Sequence, residues 1–202
     1  MSNLKKYYLA IGLFLAFVWL SVGLAAAPAL APAEVEALFF LKPLNKPLWT
    51  GFFLLITFLA SWPVVVFFGL ITVFWLGRFN RLQALIFISA IIAAEAIAIL
   101  TKTLVKRPRP ALAEGVLNLT SFGYPSGHAL VGLVFYGLIA YLLLPRIKTF
   151  WPRLLIMVGS VSLIILISFS RLYLGVHWPL DVVGGWLAGL AIWLVAQNLS
   201  RD

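Results

Sequence analysis

Long apolar runs separated by short polar stretches dominate this chain. A helix that crosses a bilayer needs about 20 mostly apolar residues, and six segments meet or approach that length. Lipid offers no hydrogen-bond partners to the backbone, so only helices and closed barrels can span it, and continuous apolar runs indicate helices. The pattern predicts an all-α membrane protein with six transmembrane helices, at about residues 7–27, 58–76, 82–100, 128–144, 154–174 and 179–199.

The stretch between the first two predicted spans has a mixed composition. Residues 28–49 contain Glu34, Glu36, two lysines and four prolines, which makes them too polar to cross the bilayer. Because apolar residues 38–41 follow the two acids, we expect an interfacial helix on the membrane surface at about residues 33–50. Residues 50–61 could instead dip into the bilayer, so the start of the second span stays open.

The first apolar run allows a second interpretation. Two lysines precede it and three alanines end it, as in a secretory signal with a small-residue cleavage site. The run is longer than the apolar core of such a signal, which has about 7 to 15 residues. We therefore expect an uncleaved membrane anchor.

Composition also indicates a membrane protein. Of the 202 residues, 63% are hydrophobic and 10% are charged, and the mean hydropathy is +1.08. In a soluble domain about half of the residues are apolar and about a quarter are charged. No stretch is polar enough for a separate soluble domain, so we expect one membrane domain over residues 1–202. The chain has no cysteine, which excludes disulfides and cysteine-ligated metals.

The positive charge predicts an orientation. A net charge of +9 would suggest nucleic acid as the partner of a soluble chain, but basic residues beside apolar runs are usually explained by membrane topology. A cytoplasmic amino terminus places most of these residues inside: Lys5, Lys6, Arg78, Arg81, Arg146, Lys148, Arg153 and Arg201. Five others then lie on the opposite face, against the positive-inside tendency: Lys102, Lys106, Arg107, Arg109 and Arg171. We infer that this face uses them to bind an anion, with phosphate expected and no nucleic acid.

The first polar motif follows the third predicted span. Lys102 and Arg109 are seven positions apart, about two helical turns, and so share nearly the same face, while Pro108 and Pro110 end the helix. Arginine offers a planar fork for two phosphate oxygens, and lysine a compact charge. For this motif alone, a basic membrane edge or a headgroup contact is the alternative.

The second motif, Pro125-Ser126-Gly127-His128, precedes the fourth span. Ser126 suits an N-cap, and Gly127 lets the backbone approach a ligand. Free amide groups and partial positive charge at a helix N-terminus favour an anion. His128 could there donate a proton to a leaving oxygen. A capped turn without chemistry is the alternative.

The third motif runs from Ser170 to Asp181 and is the most specific. His177 and Asp181 are four residues apart, which predicts one helical face and about 6 Å along the axis. A carboxylate that accepts one imidazole N–H fixes the tautomer and leaves the other nitrogen as a nucleophile. A structural His–Asp pair is the alternative, although ionisable groups beside hydrocarbon are rare and usually functional.

Together the motifs read K-x6-RP, PSGH and SR-x5-H-x3-D, and this combination resembles the type 2 phosphatidic acid phosphatase (PAP2) superfamily of membrane lipid phosphatases. The resemblance implies that His177 attacks phosphorus, Asp181 orients it and His128 protonates the leaving group. It also implies a set of phosphate-binding residues: Lys102, Arg109, Ser126, Gly127 and Arg171. It further implies that no metal or other cofactor is needed.

Three residues near these motifs are candidates for supporting positions. The repeated Arg-Pro dipeptide leaves two choices for the forked arginine, and we choose Arg109 because six residues separate it from Lys102. Lys106 and Arg107 are interpreted as headgroup contacts or contributors to the local field. Glu95, seven residues before Lys102, is expected either to support the cationic cluster or to form an interhelical hydrogen bond in its protonated form.

These observations predict an enzyme that hydrolyses a lipid phosphomonoester or diphosphate by two-step nucleophilic catalysis. The resemblance implies a bacterial cytoplasmic membrane enzyme with undecaprenyl diphosphate as the first-choice substrate. The distribution of basic residues predicts that its site faces the periplasmic or extracellular side. Phosphatidylglycerophosphate, phosphatidic acid and lipid A 1-phosphate are the alternative substrates. A noncatalytic protein that binds or transports lipid phosphates is the alternative of another class, but it would need no His–Asp pair. We expect the lipid substrate and the bilayer as partners, and no obligate protein partner.

Overall fold

The computed structural model describes residues 3–27, 32–44, 46–110 and 120–200. Within these ranges the regular secondary structure is helical, without strands. The α-helices are α1 (Asn3–Ala26), α2 (Pro32–Leu41), α3 (Pro47–Phe58), α4 (Trp62–Gly77), α5 (Arg81–Val105), α6 (Gly127–Leu143), α7 (Phe150–Tyr173) and α8 (Pro179–Leu199). Short 3-10 turns follow α2 at Lys42–Leu44 and α6 at Leu144–Arg146.

The helices confirm the predicted class of an all-helical membrane protein. Five of the described helices, α1, α5, α6, α7 and α8, are long and apolar enough to cross a membrane. Helices α3 and α4 qualify only as a pair, which is bent by 42° at the break between them. The described residues therefore provide five spans, or six if the bent pair is a single span.

The region before α4 differs most from its prediction. The helix expected at residues 33–50 is divided, because α2 ends at Leu41 and α3 begins at Pro47. The span expected from residue 58 is also interrupted, since α4 begins at Trp62 with Pro63 in its first turn. Proline lacks a backbone N–H and has a fixed φ, so it is suited to the start of a helix and unsuited to its interior. Each new helix accordingly begins at a proline-containing turn.

Helix α5 continues past its predicted end at residue 100. It reaches Val105 and is closed by Lys106, whose φ of 52° lies in the left-handed region. A left-handed residue after the last helical turn is a common way to end a helix. The helix therefore ends between Lys102 and Arg109, and the helical face predicted for these two residues from their spacing is wrong.

Helices α6 and α8 cross closely at the centre of the bundle. Helix α8 also packs against α1 and α5, while α6 packs against α4, α5 and α7. A Cβ atom added at Gly185 would lie 2.8 Å from the carbonyl oxygen of Ser126, so only glycine allows this approach. The Ser126 amide in turn donates to the carbonyl of Asp181 at 2.9 Å. The crossing therefore places the start of α8 beside the start of α6.

Other polar contacts connect the helices at the end of the bundle that lies away from the motifs. Arg146, after α6, donates to Gln83 at the start of α5 at 3.0 Å, and Lys6 of α1 donates to Gln197 of α8 at 3.2 Å. The three motifs and these contacts thus lie at opposite ends of the bundle.

Candidate active site

Residues of the first motif form hydrogen bonds with the residues that precede the second motif. Lys102 Nζ donates to the carbonyl of Phe122 at 2.8 Å. Arg109 donates from Nε to the carbonyl of Ser121 at 2.7 Å and from Nη2 to the Ser121 hydroxyl at 3.0 Å. The amide of Gly123 donates to the carbonyl of Arg107 at 2.8 Å. These bonds fix Lys102 and Arg109 beside the start of α6.

The predicted contact between His177 and Asp181 is present, but a different local geometry produces it. Helix α8 begins at Pro179, so His177 precedes the helix and does not share a helical face with Asp181. Asp181 instead caps the helix, since its Oδ2 accepts the Trp178 amide at 2.9 Å. The same oxygen lies 3.2 Å from Nδ1 of His177. The capping turn thus folds His177 back against the carboxylate.

The contacts of His177 determine its tautomer. Nε2 lies 3.1 Å from Nη1 of Arg109, and a guanidinium can only donate hydrogen bonds. Nε2 is therefore the acceptor, and Nδ1 carries the proton donated to Asp181. Burial, followed by the charges of Arg171, Arg109 and Lys102, lowers the pKa of His177 well below its usual value. The imidazole is thus neutral near pH 7, as a nitrogen nucleophile must be.

Buried hydrogen-bond donors surround this imidazole. Arg171 is 2% exposed and donates from Nη1 to the Thr57 hydroxyl at 2.6 Å, a partner on α3 that the sequence analysis did not identify. Its Nε atom and the Ser126 hydroxyl have no hydrogen-bond partner among the described residues. Unpaired buried donors cost about 1–3 kcal/mol each. An anion with several oxygens would satisfy both.

The second motif occupies the predicted N-terminus of α6. Ser126 is the N-cap residue, as expected, but its side chain makes no capping hydrogen bond. A Cβ atom added at Gly127 would meet nothing within 4 Å, so space is open beside this backbone. His128 is half-buried, and its electrostatic neighbours include Arg171, His177, Arg109 and Lys102. Both histidines therefore belong to one cationic cluster.

Arg107 lies inside the protein, contrary to the headgroup contact expected for it. Its side chain is 1% exposed and pairs with Asp181 Oδ1, 2.7 Å from Nη1, and with Glu34 Oε2. Burial disfavours its charged form, but the hydrogen bonds and charges of the two carboxylates outweigh burial and raise the pKa of Arg107. A guanidinium held this way cannot reach a lipid headgroup. Lys106 is exposed, so its interpretation stays a prediction.

Glu34 is a site residue that the sequence analysis missed. It was expected on the membrane surface, yet its side chain is buried, and Oε1 accepts the amide of Leu180 at 3.0 Å. Its partner Arg107 is 73 positions away, so no local pattern connects the two. The sequence offered no signal that separates Glu34 from the neighbouring acid Glu36. Glu95, in contrast, is half-buried on α5 with Lys102 as an electrostatic neighbour.

The arrangement can hold an anion against a neutral, oriented imidazole. Among the residues that the structure describes, no group of three or more His, Cys, Asp or Glu side chains could hold a metal ion. The motif residues themselves offer a nucleophile at Nε2 of His177, a proton carrier in His128 and cations that can stabilise developing charge. Independence from metals stays a prediction.

Comparison with known proteins identifies the family. A family model described as the PAP2 superfamily matches residues 83–202, which is more than half of the chain and includes all three motifs. The chain belongs to the PAP2 superfamily. The resemblance drawn from the PAP2 motifs is thereby confirmed.

Two curated relatives are similar to parts of this PAP2 chain. An undecaprenyl-diphosphatase of Sulfolobus acidocaldarius is 47% identical over 70 residues, which cover 35% of the chain and 30% of the relative. Phosphatidylglycerophosphatase B of Bacillus subtilis is 33% identical over 103 residues, or 50% of the chain and 49% of the relative. The chain thus matches less than half of the length of either one.

The fold agrees with that of a solved PAP2 protein. The crystal structure of a transmembrane PAP2 type phosphatidylglycerolphosphate phosphatase from Bacillus subtilis matches with a TM-score of 0.81. The match covers 96% of both chains at 22% sequence identity. This likeness shows a common PAP2 fold over nearly the whole chain, including helices α1 to α4, which precede the region that the family model matches.

Proposed function

We propose that this chain is a membrane phosphatase that hydrolyses a lipid phosphomonoester or diphosphate through a phosphohistidine intermediate. The observation that carries the proposal is the imidazole of His177, which bonds through Nδ1 to Asp181 and faces the Arg109 guanidinium with Nε2. A protein that only bound lipid phosphates would need the cations, but it would not need a neutral imidazole with a fixed tautomer.

In the first chemical step, Nε2 of His177 forms a bond to phosphorus while the bond from phosphorus to the leaving oxygen breaks. His128 donates a proton to that oxygen, and Asp181 stabilises the positive charge that develops on the imidazole. Arg109 already lies within hydrogen-bond distance of Nε2. It is therefore positioned to contact the oxygens of a phosphoryl group on this atom.

In the second step, His128 takes a proton from a water molecule as that water attacks the phosphohistidine. The phosphorus–nitrogen bond breaks, inorganic phosphate forms and His177 returns to its neutral state. Lys102, Arg171, the Ser126 hydroxyl and the Gly127 amide hold the phosphoryl oxygens in both steps. The unpaired Arg171 Nε and Ser126 hydroxyl support this assignment.

Undecaprenyl diphosphate is the first candidate substrate, in line with the name of the Sulfolobus relative. The name of the Bacillus relative favours phosphatidylglycerophosphate as the second. Phosphatidic acid and lipid A 1-phosphate share the same phosphomonoester chemistry and complete the panel. The motifs recognise the phosphate that all four lipids carry, so substrate choice depends on the lipid tail and the rest of the headgroup.

The membrane arrangement is part of the proposal. We assign six spans by counting α3 and α4 as one bent span, place α2 at the interface, and treat residues 1–202 as one PAP2 domain. The motif-bearing end faces the periplasmic or extracellular side of a bacterial cytoplasmic membrane. The basic residues near the opposite ends of the helices, such as Arg146 and Lys6, support this orientation.

Phosphate release by the purified protein tests the proposal. The four lipids are assayed with and without EDTA, and His177→Ala is compared with Lys148→Ala, an exposed position in the loop after α6. We expect release from at least one lipid, loss of release in His177→Ala alone, and no effect of EDTA. Unchanged turnover in His177→Ala would contradict the nucleophile, and loss of activity in EDTA would contradict metal independence.

A further inference from the structure

A carboxylate from outside the region matched by the family model enters the site. Glu34 lies on α2, well before residue 83, where that match begins. Its side chain is 5% exposed. Oε1 accepts the amide of Leu180 at 3.0 Å, and Oε2 accepts a hydrogen bond from Arg107. One carboxylate thus contacts both the first turn of α8 and the arginine that pairs with Asp181.

Arg107 connects Glu34 to Asp181. Its Nη2 atom donates to Glu34 while Nη1 donates to Asp181 Oδ1 at 2.7 Å. Because the guanidinium is planar and rigid, these two bonds fix the carboxylates relative to each other. The other oxygen of Asp181 accepts from the Trp178 amide and faces Nδ1 of His177. A continuous chain of hydrogen bonds therefore runs from α2 to the imidazole.

The charge balance within these hydrogen-bonded side chains also depends on Glu34. Arg107 carries one positive charge between two carboxylates, and all three side chains are buried. Without Glu34, the positive charge of Arg107 would be balanced by Asp181 alone. A more strongly neutralised Asp181 would attract the imidazole N–H less, and Arg107 would be free to shift towards the space that Glu34 leaves. Both changes would weaken the interaction that holds the position and the tautomer of the His177 imidazole.

We propose that Glu34 is a positioning residue that acts through Arg107 to hold Asp181 and thereby the Nδ1-protonated tautomer of His177. In this view α2 contributes a residue to the active site. The inference rests on the proposed function for its kinetic consequence. Its structural part concerns the tautomer of His177 and holds whatever the substrate is.

The first test compares two acids on the same helix. Glu34→Gln keeps the shape and the acceptor for Leu180 but removes the charge, while Glu36→Gln changes an exposed acid two positions away. We expect Glu34→Gln to lower kcat for phosphate release by about 10- to 100-fold with little change in KM, since small displacements of reacting groups have effects of this size. Glu36→Gln should match the wild type. Equal turnover in all three proteins would overturn the proposal.

The second test reads the tautomer directly. The chain has only two histidines, so ¹⁵N-histidine NMR of the labelled protein gives two imidazole spin systems, which His128→Gln assigns. We expect His177 to be protonated at Nδ1 in the wild type and in Glu36→Gln, and to exchange between tautomers in Glu34→Gln. An unchanged His177 signal in Glu34→Gln would overturn the positioning role even if turnover fell.

Coupling between Glu34 and Arg107 provides the last check. If Glu34 acts through Arg107, then adding Glu34→Gln to Arg107→Lys should lower kcat by no more than about twofold further. The reason is that the effects of two substitutions in one hydrogen-bond network are not additive. If the two substitutions lower kcat independently, Glu34 does not act through Arg107. Should Glu34→Gln fail to fold, Arg107→Lys alone must show the tautomer exchange. Should the wild type release no phosphate, the proposed function fails while the NMR comparison still tests Glu34.

Discussion

The two ends of the helix bundle both collect basic residues, but they pair them differently. At the motif-bearing end, Arg107 and Arg171 are buried and bonded to specific partners, namely two carboxylates and the Thr57 hydroxyl. At the other end, two cations bond to neutral groups. The buried Lys6 donates to the Gln197 side chain, and the exposed Arg146 lies over the Trp75 ring, 5.0 Å from its centroid, and donates to Gln83 and to the backbone. A buried ion pair is costly to break, whereas the contacts of an exposed cation contribute little to stability.

The same contrast occurs within the repeated Arg-Pro dipeptide. Arg107 is enclosed by Glu34 and Asp181. Arg109 is half-buried, and its hydrogen-bond partners among the described residues are neutral, for example the Val176 carbonyl at 2.8 Å and His177 Nε2. One arginine therefore supports the structure of the site, while the other keeps its charge available for a ligand. A separation of two residues is thus enough to give the two arginines different partners.

The largest effect should come from the buried carboxylate at the motif-bearing end. Asp181→Asn keeps the size of the side chain but weakens its hold on the Nδ1 proton of His177, and we expect kcat for phosphate release to fall by about 10⁴-fold. Release kinetics and circular dichroism of the purified variant measure activity and folding. A folded Asp181→Asn protein that keeps more than a tenth of wild-type turnover would contradict the role of Asp181.

The two arginines of the dipeptide should differ in how much they contribute to stability. Arg107→Ala leaves two buried carboxylates unpaired, so we expect a loss of about 3–5 kcal/mol in the free energy of unfolding. Arg109→Ala should leave stability nearly unchanged and lower kcat/KM by about 10²- to 10³-fold, because it removes donors to the developing charge. Thermal unfolding in detergent and phosphate release compare the two. Equal losses of stability would end the distinction between them.

The smallest effect should come from the opposite end of the bundle. Arg146→Ala removes exposed contacts, which contribute about 1 kcal/mol or less, and we expect turnover within about twofold of the wild type. The variant is measured beside Arg109→Ala in the same lipid assay. A loss of activity as large as that of Arg109→Ala would show that the two ends do not differ as the structure indicates.

Local features of the fold and site were predictable from the sequence. Apolar runs of membrane-spanning length predicted the helical class, since a backbone in lipid must satisfy its own hydrogen bonds. Ser126 was correctly placed at an N-cap. The contact between His177 and Asp181 was also expected, but the shared helical face predicted for it is wrong, because His177 precedes α8 and the capping turn produces the contact. Both features depend on residues only a few positions apart, so the sequence could suggest them even where the local geometry differs.

Contacts between distant elements were decided only by the tertiary structure. The sequence placed Glu34 on the membrane surface and Arg107 either at a headgroup or as a contributor to the local field. Helix packing instead buries Glu34 against Arg107, and Arg107 against Asp181. Thr57 reaches Arg171 across 114 positions, and α3 and α4 meet at a bend of 42°. An apolar helix can pack against lipid or against several different helices. Apolar composition therefore does not determine which helices cross, or that Arg107 meets its carboxylate partners. That choice depends on close packing such as that at Gly185, which exists only once α6 and α8 have met.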